Sequence, residues 1–285
     1  MRGAAKFDLE FLLRSDDGRR LHGSLLYAAD VFDAETVRRM TSLLGRVLDQ
    51  VLTDPGLRLS DLEVLTTEQR ALLTGPWAGS VAETGDGSLV VRFEEAAARF
   101  AERTALVDGG RRISYAELDA SANRLAHLLR AHGLGRGDLA GVLLDRGVDF
   151  AVAVLAVVKA GAAYTLLDPD FPDERLRSAA ADAGISLLLT APAHAARIEG
   201  PWRTVGLPSR GELAVFPAVG PGVDVSGDDA ACVMFTSGST GRPKGILSSH
   251  RNLVSTVSGQ SYGRFGPGEV FLQCSPVSWD AFSLE

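Results

Sequence analysis

Cysteine, basic charge and long apolar runs are all scarce in this sequence. The 285 residues include only two cysteines, Cys232 and Cys274, too few for a disulfide scaffold or a four-thiolate zinc site; a reduced, cytosolic setting is the simplest interpretation. Acidic residues outnumber basic ones by 36 to 29, giving a formal net charge of -7, and no basic surface predicts nucleic-acid binding. The longest apolar run, Phe150–Val158, is about half the length of a membrane span.

Two further kinds of feature are missing from the sequence. The N-terminus reaches Asp8 before any apolar stretch, which argues against a secretory signal. The five histidines are scattered, without the spacing that metal ligands show, so no metal site is predicted. The histidine that follows a strand pattern, His250, is interpreted as a helix-start or packing residue, and Cys232 as a small core residue.

Hydrophobic residues make up 46% of the chain and charged residues 23%, which is typical of a protein that buries a sizeable core. Residues 1–73 predict a hairpin over Phe7–Tyr27, followed by a long and a short helix. Residues 74–88 are rich in Gly, Ser, Thr and Pro and indicate a linker. In residues 89–285, helices and strands alternate, which favours an α/β fold with a mostly parallel sheet flanked by helices.

A loop rich in glycine and hydroxyl groups follows the strand pattern at Ala230–Phe235. Its three glycines allow a close approach of backbone N–H groups to a ligand, and no carboxylate repels an anion. Such a loop suits a polyphosphate, although an ordinary surface loop is the alternative. It is not a Walker A loop, because Gly245 follows Lys244 and Pro243 would break the helix. The candidate phosphate-binding residues are Thr236, Ser237, Gly238, Ser239, Thr240, Gly241 and Lys244.

This loop resembles the phosphate loop of the adenylate-forming enzymes, which include acyl-CoA synthetases, luciferases and the adenylation domains of nonribosomal peptide synthetases. Ile113–Leu118 with Asn123–Ala126 is similar to the first core motif of the adenylation domains. Val158–Tyr164, running into Leu167–Pro169, resembles the second. We interpret both as structural, with Gly161 allowing a close helix–strand turn. The resemblance implies a truncated N-terminal subdomain of an adenylate-forming enzyme.

The resemblance also implies an amino-acid site near residue 280. Asp280 lies 36 residues after Lys244, where the amino-acid-activating branch has an aspartate that binds the substrate ammonium group. An ammonium ion in a dry pocket needs a fixed counter-charge, although a helix N-cap is the alternative role for Asp280. By the same match, Ala281 and Leu284 line the side-chain pocket and favour a hydrophobic amino acid.

Residues from Phe7 to Leu73 resemble the C-terminal end of a condensation domain, which gives a small α+β remnant over residues 1–73. The linker then covers residues 74–88, and residues 89–285 form the truncated adenylation domain. The paired-histidine motif of condensation domains is absent from the sequence, so we expect no condensation activity from this remnant.

As a whole, the resemblance implies part of a nonribosomal peptide synthetase that makes an antibiotic or another secondary metabolite. ATP and Mg²⁺ would support formation of an aminoacyl-AMP, and the acyl group would pass to phosphopantetheine on a carrier domain. An MbtH-like protein is a further candidate partner. The catalytic lysine of the family has no counterpart in this sequence, so no catalytic residue is assigned and the chain alone is expected to be inactive. The alternatives are an acyl- or aryl-CoA ligase, a non-catalytic interaction fragment and, most weakly, a P-loop NTPase.

Overall fold

The computed structural model describes residues 7–15, 18, 20–79, 87–236, 243–260, 262–278 and 282. Contacts divide the chain into two compact units, Met1–Ser80 and Val81–Glu285. Among the described residues, none of the helices combines the length and the apolar character needed to cross a membrane.

The first unit consists of a hairpin and two helices. Strand β1 (Leu9–Ser15) pairs with strand β2 (Leu21–Tyr27) in antiparallel register, with Leu9 opposite Tyr27, so the predicted hairpin is confirmed. The second helix begins with a capping box. The Thr66 hydroxyl oxygen accepts a hydrogen bond from the Gln69 backbone N–H, and the Gln69 side-chain oxygen accepts one from the Thr66 backbone N–H. A threonine followed three residues later by a glutamine favours this arrangement. The elements are β1 Leu9–Ser15, β2 Leu21–Tyr27, α1 Ala34–Thr53, a 3-10 turn at Leu59–Asp61, and α2 Thr67–Thr74.

The strands of the second unit are β3 Thr104–Asp108, β4 Arg111–Ser114, β5 Leu139–Leu143, β6 Ala163–Leu166, β7 Leu187–Thr190, β8 Arg203–Gly206, β9 Ala230–Thr236 and β10 Lys244–Ser249. Six of them form a sheet with the strand order β10-β9-β6-β5-β7-β8. All neighbouring pairs are parallel except β9 and β10, which confirms the mostly parallel sheet. Strands β3 and β4 form a separate antiparallel hairpin. The helices are α3 Leu89–Arg99, α4 Tyr115–Ala131, α5 Val148–Lys159, α6 Asp173–Ala183, α7 Arg210–Leu213 and α8 His250–Val257.

The two core motifs have the structural roles expected of them. Ser114 and Glu117 form the capping box that starts α4, and Leu118, one residue later, is buried. Gly161, between α5 and β6, adopts a φ of +89°, and a Cβ there would lie 2.9 Å from Val223 Cγ1. A residue with a side chain would be strained at this turn and would clash. The motifs therefore build the helix–sheet core.

His250 lies at the start of α8, where it is fully buried, which confirms its interpretation as a helix-start packing residue. Neither ring nitrogen has a hydrogen-bond partner within the described part of the chain. Burial lowers the pKa of the imidazole, and the nearby Asp229 carboxylate only partly opposes this shift. The neutral ring is therefore the form that the fold favours.

We expect the free energy of unfolding to fall as pH drops from 7 to 5, in part through His250. An unfolded imidazole binds a proton below its ordinary pKa of about 6.5, whereas burial holds the folded pKa lower, so the unfolded state binds more protons in this window. Stability then rises with pH by at most about 1.4 kcal/mol per pH unit for this one group. Urea titrations at pH 5, 6 and 7 should show a shallower dependence in His250→Leu, and identical dependences would contradict this assignment.

Candidate functional site

The candidate phosphate loop connects β9, the second strand of the sheet, to the edge strand β10. Thr236 at the end of β9 pairs in register with Lys244 at the start of β10, and the Thr236 hydroxyl donates to the Lys244 carbonyl oxygen at 3.5 Å. Both residues are exposed. Ser237, Gly238, Ser239, Thr240 and Gly241 lie outside the described residues. We call the side of the sheet where its parallel strands end the carboxyl edge. The two ends of the loop, Thr236 and Lys244, lie at this edge.

The strand that leads into this loop is buried in the core. Ala231 and Cys232 in β9 are fully buried, and Cys232 lies opposite Tyr164 of β6. Burial raises the pKa of the Cys232 thiol to about 11, so the thiol stays protonated and unreactive. Cys232 is therefore a core residue, as the sequence predicts. Ligands of open α/β sheets bind outside the carboxyl ends of the strands, which is where β9 delivers its loop.

Next to the candidate amino-acid residues in sequence, one described residue contacts the start of α5. Asp280, Ala281 and Leu284 lie outside the described residues, but Phe282 packs edge-on against Phe150 of α5, with 5.5 Å between ring centroids.

A second contact joins residue 274 to the loop between β5 and α5. Arg146 donates to the Cys274 carbonyl oxygen at 3.2 Å, and Val277 is buried in the core. This loop follows the carboxyl end of β5, which is two strands from β9 in the sheet, or about 10 Å at the usual strand spacing. Cys274 and Phe282 therefore lie near the carboxyl end of β5, at the same edge of the sheet as Thr236 at the end of β9.

A buried ionic cluster lies at the opposite edge of the sheet, where the parallel strands begin. It was not predicted from the sequence. The Lys159 side chain, at the end of α5, is only 1% exposed, and its Nζ lies 2.5 Å from Glu94 Oε1 and 2.9 Å from Asp119 Oδ1. It also lies 5.7 Å from the centroid of the Phe93 ring. The sequence did contain a sign of this cluster, namely a lysine within the apolar helix pattern of residues 148–159. A buried lysine requires partners of opposite charge.

The described side chains form no metal-binding cluster. In the described ranges of the chain, no group of three or more His, Cys, Asp or Glu side chains could hold a metal ion.

Comparison with known proteins places these features in context. The sequence matches the AMP-binding enzyme family over residues 93–284. It is 39% identical over 285 residues to one of the proteins that make up the linear gramicidin synthase of Brevibacillus parabrevis. It is also 37% identical over 289 residues to phosphinothricin tripeptide synthetase PhsC of Streptomyces viridochromogenes. Each alignment covers 99% of this chain but only 4% and 26% of the respective relatives, so the chain spans a small part of their length.

A solved structure is similar in fold to a large part of this chain. The Klebsiella oxytoca NpsA N-terminal subdomain, in complex with anthranilyl-AMSN, aligns with a TM-score of 0.58 and 27% identity. The alignment covers 69% of this chain and 50% of that one. The expected fold, an N-terminal subdomain with a mostly parallel sheet flanked by helices, is confirmed.

Proposed function

Because this chain belongs to the AMP-binding enzyme family, we propose that it forms the front part of an amino-acid adenylation domain in a nonribosomal peptide synthetase. The main support is the loop anchored by Thr236 and Lys244 at the carboxyl edge of the sheet. Its glycines, hydroxyls and lysine suit a polyphosphate. The names of the two synthetases that align over 99% of the chain favour amino acids as the substrates.

The proposed reaction has two steps. A carboxylate oxygen of the amino acid attacks the α-phosphorus of ATP, the bond to the bridging oxygen breaks, and pyrophosphate leaves with that electron pair. A phosphopantetheine thiol of a carrier domain then attacks the aminoacyl-AMP carbonyl, and AMP leaves. Catalysis of such transfers rests mainly on positioning and charge stabilisation.

In the first step, the phosphate loop holds the triphosphate. Thr236, Ser237, Ser239 and Thr240 donate hydrogen bonds, and Lys244 stabilises the departing pyrophosphate. A bound Mg²⁺ would neutralise further phosphate charge. The exposure of Thr236 and Lys244 is consistent with contact to a ligand that enters from solvent.

Asp280 is proposed to bind the ammonium group of the amino acid, with Ala281 and Leu284 beside its side chain. The contact between Phe282 and Phe150 supports this role, because two residues of chain span at most about 7 Å. Phe150 lies at the start of α5, which follows the carboxyl end of β5, and Thr236 ends β9 at this same edge of the sheet.

The first unit is proposed to be the C-terminal remnant of a condensation domain. The alignments with the two synthetases cover nearly the whole chain and so include this unit. Large apolar side chains remain exposed in it, among them Leu59 at 88% and Leu52 at 78%. Exposed apolar surface of this kind usually packs against further protein. A carrier domain and an MbtH-like protein are the proposed partners of the synthetase.

The proposal is tested by amino-acid-dependent exchange between ATP and pyrophosphate. We expect exchange by the synthetase that contains this chain, and none by the 285-residue polypeptide alone, since the family's catalytic lysine has no counterpart in it. Exchange by the polypeptide alone, at the rate of the synthetase, would contradict the proposal. The NpsA complex with anthranilyl-AMSN makes an aryl acid the substrate class to test against.

A further inference from the structure

The segment of residues 270–278, which leads to Asp280 in sequence, belongs to no helix or strand. The two ends of the phosphate loop are held differently, because β9 and β10 pair in register from Thr236 and Lys244 onward. Side-chain contacts therefore have a larger share in fixing the position of residues 270–278 than in fixing the ends of the phosphate loop.

Two aromatic rings form the contact that follows Asp280 in sequence. Phe150, in the first turn of α5, is only 4% exposed and belongs to the main hydrophobic core of the second unit. Its ring and that of Phe282 meet edge to face, at an interplanar angle of 84°. Edge-to-face pairs favour one relative orientation of the two rings. Phe150 therefore restricts both the position of Phe282 and the way its ring is turned.

A hydrogen bond forms the contact that precedes Asp280 in sequence. Arg146 Nη1 donates to the Cys274 carbonyl oxygen at 3.2 Å, and Arg146 lies four residues before Phe150. Both residues follow β5, which pairs with β6 on one side and β7 on the other. The support for the segment of residues 274–282 thus comes from the middle of the sheet, and its two contacts stand on either side of residue 280 in sequence.

Precise positioning matters more for a charged binding group than for most side chains. A misplacement of about 1 Å, caused by a substitution away from the reacting atoms, can cost an enzyme about 100-fold in activity. The triphosphate is proposed to bind at the loop after β9, which does not depend on these contacts. Weakening them should therefore affect the two substrates of the synthetase unequally.

We propose that Phe150 and Arg146 are positioning residues for amino-acid binding. They act through the segment of residues 274–282, Arg146 at its start and Phe150 at its end, and not by contact with the substrate. This inference rests on the proposed function, because it requires that the segment carries the amino-acid site. Loss of either contact weakens amino-acid binding and leaves ATP binding as it is.

Phe150→Leu in the synthetase that contains this chain is expected to raise the KM for the amino acid about fivefold, the effect of losing one edge-to-face pair. The assay is ATP–pyrophosphate exchange, with whichever of the twenty common amino acids supports the fastest exchange. The KM for ATP should stay within about twofold of the wild type. A loss of stability alone would lower the amount of active enzyme and the maximal rate, but it would not change one KM selectively.

Phe93→Leu is the matched control for this substitution. Phe93 packs against the same hydrophobic core, but it lies beside Lys159 at the opposite edge of the sheet. The same loss of ring volume at that edge should leave the KM values of both substrates within about twofold of the wild type.

A double-mutant cycle tests whether the two rings act as one contact. Phe150→Leu and Phe282→Leu should each raise the KM for the amino acid. The double variant should raise it no further than the larger single effect, because either change alone already removes the contact. Phe93→Leu combined with Phe282→Leu should instead give the product of the two separate effects. A product for the Phe150 and Phe282 pair as well would overturn the positioning role of Phe150.

A variant at an exposed residue keeps the test decisive if Phe150→Leu does not fold. Arg146 is exposed, and Arg146→Met removes the donor to Cys274 while keeping most of the aliphatic stem. The KM for the amino acid should rise about threefold, as expected for one hydrogen bond. Arg130→Met is its control, because Arg130 Nη1 donates to the Ala160 carbonyl oxygen at 3.3 Å, just after α5 ends, and this variant should keep the wild-type KM.

The outcomes separate this inference from the proposed function. An unchanged KM for the amino acid in Phe150→Leu or in Arg146→Met would overturn the role of that residue, and so would an equal rise in the KM for ATP. In both cases the wild-type synthetase still shows amino-acid-dependent exchange, so the proposed function stands. No such exchange by the wild-type synthetase would overturn the proposed function and this inference with it.

Discussion

Replacing Asp280 by alanine in the synthetase that contains this chain is expected to raise the KM for the amino acid sharply. Removing the partner of a desolvated charge costs about 2–5 kcal/mol, which corresponds to a factor of about 30 to 5,000. The KM for ATP should change little, because the proposed triphosphate site is the loop after β9. Initial rates of ATP–pyrophosphate exchange, with each substrate varied in turn, measure both constants.

Asp280→Asn is the control that separates the two roles considered for this residue. Asparagine caps a helix N-terminus about as well as aspartate, but it has no charge to pair with an ammonium group. If the asparagine variant behaves like the alanine variant, the charge is what the substrate needs. Wild-type kinetics in the asparagine variant would show that Asp280 acts as a helix cap and would remove the reason for preferring amino acids.

Replacing Lys159 by methionine is expected to lower the free energy of unfolding of the second unit by about 3 kcal/mol. Methionine keeps most of the volume, so the loss is mainly electrostatic. The carboxylates of Glu94 and Asp119 would face each other without the buried ammonium group that now contacts both. Their partial exposure, 45% and 26%, keeps the expected loss at the lower end of the range for broken buried pairs.

An exposed ion pair on the neighbouring part of α3 provides the control for this experiment. Arg92 and Glu95 lie 3.3 Å apart with side chains 46% and 61% exposed, so Arg92→Ala should cost less than about 1 kcal/mol. Urea denaturation followed by circular dichroism measures both variants. Adding Glu94→Gln to Lys159→Met should recover part of the loss, and equal stabilities of Lys159→Met and Arg92→Ala would contradict the buried-pair account.

The elements that the sequence predicted well are those with strong local patterns. Helix α4 begins at a Ser114–Glu117 capping box and continues with an apolar face, and both features are visible in the sequence. Strands β5 and β6 are almost continuously apolar and are buried along nearly their whole length, as expected of central parallel strands. The α/β class and most element positions follow from such segments.

What the sequence did not reveal depends on short elements or on distant contacts. Strand β8 and helix α7 contain four residues each, and strand β8 has three exposed positions out of four, so no periodicity marks them. The contacts of Lys159 with Glu94 and Asp119 join residues 65 and 40 positions apart in sequence, and only the packing of α3, α4 and α5 brings them together. The loop of residues 218–227 likewise contacts those helices over long sequence distances, as in the hydrogen bond from Asn123 Nδ2 to the Ala218 carbonyl oxygen.

The most direct test of the central claim is to identify the acids that the synthetase activates. With ATP and hydroxylamine present, the acyl-adenylate is captured as a hydroxamate, which mass spectrometry identifies. A panel should contain the twenty common amino acids, anthranilate, benzoate and a medium-chain fatty acid, with the 285-residue polypeptide as the inactive control. We expect hydroxamate from one or a few amino acids, hydrophobic ones foremost, and none from the aryl or fatty acids. Hydroxamate from an aryl or fatty acid alone would contradict the account.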